Sequence, residues 1–70
     1  MPLLRVAVPV PLADTFDYAW AGAGPAPRPG TRVAVPFGRS RRIGIVVSHA
    51  ASSALPPERL KPVLEALDET

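Results

Sequence analysis

Phe16, Asp17 and Tyr18 set one carboxylate between two aromatic rings. An aromatic face stacks on a nucleobase for about 1–3 kcal/mol without regard to base identity. A carboxylate accepts hydrogen bonds from base amino groups or a sugar hydroxyl, and it repels phosphate. In a site for a nucleic-acid strand, an acid therefore favours a terminus, where a hydroxyl replaces the next phosphate. Gly38, directly after Phe37, lets a ligand come close to the backbone. Lys61 and the dense Arg39-Ser40-Arg41-Arg42 cluster offer cations for preceding phosphates. Each residue also has an ordinary explanation. Phe16 can join Tyr18 and Trp20 in a core, Gly38 can serve a turn, and Lys61 can be a solvated lysine.

Catalysis finds no residue set. There is no cysteine, so thiol chemistry, disulfides and thiolate metal sites are excluded. The single histidine, His49, neighbours Ser48, Ser52 and Ser53 without an orienting acid nearby in sequence, and reads as an exposed residue at a strand end. Asp14 and Asp17 are three apart across a turn, which Asp14 is placed to cap. Gly22-Ala23-Gly24 lacks the lysine or third glycine of a phosphate loop, and no helical pattern follows it. The sequence predicts no enzyme, no cofactor and no metal.

The elements that must position these residues are strands. Apolar residues alternate at the strand period: Val6, Val8 and Val10; then Phe16, Tyr18 and Trp20; then Val33, Val35 and Phe37; then Ile43, Ile45 and Val47. Turn chemistry divides the runs. Pro11 to Asp14 joins the first pair, Pro29-Gly30 suits a type II turn, and Gly38 to Arg41 forms a hairpin tip. Pro57 to Leu60 suits one helical turn. Beyond it, Leu60, Leu64 and Leu67 have helical spacing, but Pro62 disfavours helix at Lys61. A fifth strand over 61–67, with Val63 and Leu67 on one face, would protect the edges of a small sheet. The fold class expected is all-β: a small, partly open five-stranded barrel with at most one short helical turn.

Seventy residues make one small domain, with about 3–5 kcal/mol of net stability from its core. Such a domain is expected to lean on a neighbouring domain or a partner chain. Residues 1–49 carry a charge balance of +4 and residues 50–70 one of −2, so the basic front half suits an anionic partner. The polar Leu67-Asp68-Glu69-Thr70 run reads as a cut at a linker. No apolar run approaches the roughly 18 residues of a membrane span, and a cytoplasmic protein is expected.

Four segments together resemble one family: Val8-Pro9-Val10-Pro11-Leu12, Thr15-Phe16-Asp17-Tyr18, Gly30-Thr31-Arg32-Val33-Ala34-Val35-Pro36-Phe37-Gly38 and Ile43-Gly44-Ile45-Val46-Val47. Lys61 in Leu60-Lys61-Pro62-Val63-Leu64 adds to the match. The combination is similar to the N-terminal 3′ DNA-binding domain of the primosomal protein N′ (PriA) family of replication-restart helicases. The resemblance implies binding of the 3′-terminal nucleotide of the nascent leading strand at a stalled fork, with Phe16, Asp17, Gly38 and Lys61 forming the pocket. Arg39, Arg41 and Arg42 have no role carried over, and stand only as candidate phosphate contacts. Residues 1–70 are then expected to be part of a longer helicase chain. Implied partners are DNA, the following helicase domains of that chain and other primosome proteins. The alternative reading is a β-barrel protein-interaction module with no nucleic-acid role.

Overall fold

The computed structural model describes residues 2–10 and 15–67. The expected turn from Pro11 to Asp14, with its Asp14 cap, lies outside these, as does the 68–70 run. Strands β1 (Leu3–Ala7), β2 (Thr15–Ala19), β3 (Arg32–Phe37), β4 (Ser40–Ala50) and β5 (Glu65–Ala66) are joined by one 3-10 turn, Pro57–Arg59. They form one antiparallel sheet in the order β2-β1-β4-β3-β5. All-β architecture and the single helical turn are as the sequence predicts.

Alternation builds the core. Leu4, Val6, Val33 and Val35 have no exposed surface, and Val8, Tyr18, Val46 and Val63 join them. Burying such a side chain contributes about 1.5–3 kcal/mol. β4 departs from the expectation: Ile43, Ile45 and Val47 do share an alternating pattern, but they face outward and are 42–49% exposed. The inward positions are Gly44 and Val46, which pair with Val33 on β3 and Val6 on β1 respectively. Gly44 is inward because β1 crosses it closely: a Cβ there would lie 2.5 Å from Val6 Cγ1 and 2.8 Å from the Ala7 carbonyl oxygen. Further along, Arg5 pairs with Ser48 and Val6 with Val46, so Val47 is the extra residue of a β-bulge. Such a bulge bends its strand and strengthens the local twist.

The Pro29-Gly30 turn has the expected form. Thr31 N–H donates to the Arg28 carbonyl at 3.1 Å, and Gly30 has φ +94°, as position i+2 of a type II turn requires.

The fifth strand is shorter than expected. Only Glu65–Ala66 is ladder-paired, to Val33 and Ala34 of β3. The segment changes partner midway. Ala19 N–H donates to the Lys61 carbonyl (3.0 Å), and Val63 N–H returns a bond to the Ala19 carbonyl (2.9 Å). Leu64 and Leu67 N–H then donate to Ala34 and Arg32 of β3, each at 2.8 Å. Pro62, with no N–H, bridges Ala19 at the change of partner. The change also alters the faces: Ala66, rather than Leu67, joins Val63 against the core. The sheet stays open, with this segment bonded to β3 along β5 and to the end of β2 before it.

Candidate nucleic-acid interface

β2 is an edge strand, and pairing with β1 sets the direction of its side chains. Phe16 stands opposite Val6 and Asp17 opposite Arg5. Phe16 and Phe37, both half-buried, meet in a T-shaped contact. The chain from Ser53 to Lys61 leans across this end of the sheet. The result is a cleft of about 390 Å³ with Phe16, Asp17 and Phe37 on the strand side and Leu55, Arg59 and Lys61 on the other; Thr15 and Tyr18 complete its lining.

Within the cleft the groups have distinct duties. Tyr18 belongs to the core: its hydroxyl donates to the Pro36 carbonyl at 2.9 Å, and burial pushes its phenol pKa above the ordinary value. The residue is only 5% exposed, which leaves Phe16 and Phe37 as the accessible aromatics of the cleft. The Asp17 side chain is 21% exposed, with Oδ1 3.9 Å from Arg5 Nε. Its Oδ2 accepts a 2.5 Å hydrogen bond from Ser53 Oγ. Arg59 and Lys61 line the same cleft and enter no ion pair among the described residues.

Three of the four pocket residues named from the sequence, Phe16, Asp17 and Lys61, therefore line one cleft. Gly38 lies one residue beyond Phe37, at the β3–β4 hairpin, and is not among the lining residues. Its φ of +59°, with no positive φ at Arg39, is that of a type II′ turn with glycine first.

The arginine cluster is arranged differently. Arg39, Arg41 and Arg42 are exposed and do not line the cleft. Arg41 Nη2 lies 2.7 Å from Glu65 Oε1, with both side chains more than half exposed. Such a pair is worth about 0–1 kcal/mol, yet it offsets the Arg41 charge.

By the sequence pattern Phe37 belongs only to an alternating core face, and Leu55 and Arg59 have no place in a site. Their signal was weak. Arg59 is two residues from Lys61, but a 3-10 turn ends between them, so strand parity gives no guide. His49, read as an exposed strand-end residue, is exposed and also tied down: its Nε2–H donates to the Pro27 carbonyl at 2.6 Å.

A small open β-sheet that brings accessible aromatics, a carboxylate and two cationic residues around one cleft has the equipment of a module for single-stranded nucleic acid. The comparisons with known proteins agree. Residues 5–70 match the model of the PriA 3′ DNA-binding domain. Over 68 residues the chain is 40% identical to the replication restart protein PriA of Haemophilus influenzae, a match covering 97% of this chain and 9% of that relative. The chain belongs to the PriA 3′ DNA-binding domain family, and it is a DNA-binding domain, not a catalytic one. It spans about a tenth of the length of that curated relative. Among the described residues, no helix is long and apolar enough to cross a membrane.

Proposed function

We propose that this domain holds the 3′-terminal nucleotide of a DNA strand, the nascent leading strand at a stalled fork, as the recognition part of a cytoplasmic replication-restart helicase. The observation that carries the reading is the convergence of Phe16, Asp17 and Lys61 on one cleft. The family's description as a 3′ DNA-binding domain and the replication-restart name of the relative support it.

The mechanism is recognition without turnover. The terminal base stacks against the Phe16–Phe37 pair, independent of its identity. The Asp17 carboxylate accepts a hydrogen bond from the terminal hydroxyl and repels a phosphate in that place. Lys61 and Arg59 hold the preceding backbone, and Arg39 and Arg42 serve strand further from the end. Gly38 keeps the hairpin free of a side chain beside Phe37. ATP-driven unwinding and contacts with other primosome proteins fall to further domains of a longer chain.

Labelled single-stranded DNA with a free 3′-hydroxyl is expected to bind more tightly than the same strand ending in a 3′-phosphate. Asp17→Ala is expected to shrink that difference. Equal affinity of the unaltered domain for both ends would overturn the terminus-specific reading.

A further inference from the structure

The contact between Ser53 and Asp17 carries an inference that rests on the reading of Asp17 as the terminus-sensing group. Ser53 comes from the loop after β4, far from β2 in sequence. In the stretch 51–59 it is the one residue that is not exposed. Its hydroxyl works in both directions: Oγ donates to Asp17 Oδ2 at 2.5 Å and accepts from the Leu55 N–H at 3.1 Å. A hydroxyl is among the few side-chain groups that can donate and accept through one atom.

The two carboxylate oxygens are thereby made unequal. Oδ2 is engaged by a short hydrogen bond, whereas among the described residues Oδ1 faces the Arg5 guanidinium alone at 3.9 Å, on a side chain 52% exposed. The oxygen with the most capacity left for a ligand is Oδ1. The second bond places Leu55, on the opposite wall of the cleft, relative to the same hydroxyl.

We propose that Ser53 is a positioning residue: it fixes the Asp17 carboxylate so that one chosen oxygen meets the terminal hydroxyl of the strand, and so sets discrimination between a 3′-hydroxyl and a 3′-phosphate. Ser53 touches no ligand in this role. Binding strength from stacking and from Arg59 and Lys61 is independent of it.

The test is the affinity ratio for 5′-labelled strands ending in a 3′-hydroxyl or a 3′-phosphate, measured for the unaltered domain and for Ser53→Ala, Ser53→Thr and Ser53→Cys. Ser53→Ala is expected to lower the ratio about fivefold, the worth of one net hydrogen bond. Affinity for the 3′-phosphate strand should fall less than that for the 3′-hydroxyl strand. Ser53→Thr, which keeps the hydroxyl, should preserve the ratio. Ser53→Cys keeps the size with only a weak donor, and should behave as alanine even where Ser53→Ala loosens the loop. An unchanged ratio in both Ala and Cys variants overturns the proposal. So does an equal weakening for both strands, which marks Ser53 as a wall of the cleft and nothing more. Absence of discrimination in the unaltered domain itself is a separate failure, that of the terminus reading on which Ser53 depends.

Discussion

The rings of Phe16 and Phe37 lie with centroids 5.0 Å apart and planes at 83°. Their strands, β2 and β3, are not neighbours in the sheet, so the contact joins side chains from strands that share no ladder. A T-shaped pair of this kind contributes about 0.5–1.5 kcal/mol beyond area burial. Phe37→Ala is expected to weaken binding of single-stranded DNA roughly two- to tenfold by freeing the Phe16 ring. Phe16→Ala should cost the stacking itself, about 1–3 kcal/mol. In a double-mutant cycle read by fluorescence anisotropy, the combined loss should fall short of the sum of the two.

Arg59 of the cleft and Arg41 of the hairpin should part company in a salt titration. Each phosphate contact on a single strand contributes about 0.7 to the slope of log affinity against log salt. Arg59→Gln is expected to reduce the slope by about that amount. Arg41→Gln should leave it nearly unchanged, because Glu65 already opposes that charge. A slope that responds to Arg41 and not to Arg59 would move the phosphate role from Arg59 to Arg41.

Tyr18 gives the fold an alkaline limit. Burial raises its folded-state pKa above the ordinary value of 10.0, so the folded state retains the phenolic proton more strongly than the unfolded chain. The associated stability is fully present below about pH 10 and is lost as pH rises through the folded-state value. Chemical denaturation across alkaline pH should show this decline. Tyr18→Phe should remove the Tyr18 part of it, at the cost of the bond to the Pro36 carbonyl.

Gly44→Ala tests how closely β1 approaches β4. The added methyl would meet Val6 Cγ1 and the Ala7 carbonyl, part of it backbone that cannot turn aside. Overpacking of this kind costs about 1–3 kcal/mol. A clear drop in thermal midpoint is expected, whereas Ile45→Thr, on the outward face of the same strand, should change it little.

The strands were legible because alternation is local, and turn residues with a defined φ, such as Gly30 and Gly38, mark their ends. Which face points inward is not local. Ile43, Ile45 and Val47 look more like core than Gly44 and Val46, and only the crossing of β1 and the bulge at Val47 reverse that choice. The aromatic-acid edge was legible as residue types. Its completion by Leu55 and Arg59 was not, because an irregular loop has no period from which to infer direction. The length of β5 was misjudged for a related reason: a proline at the change of partner splits one segment between two strands.

That split segment has a consequence for how the domain lets go of its ligand. Lys61 contributes its side chain to the cleft and its carbonyl to Ala19 of the opposite sheet edge. On the proposed function, the residue that grips the strand is also the clasp of the domain, so loosening the grip by peeling 61–63 away would undo the clasp as well. Occupancy of the cleft should therefore slow hydrogen exchange at the Ala19 and Val63 amides, and the bound domain should melt as a single unit.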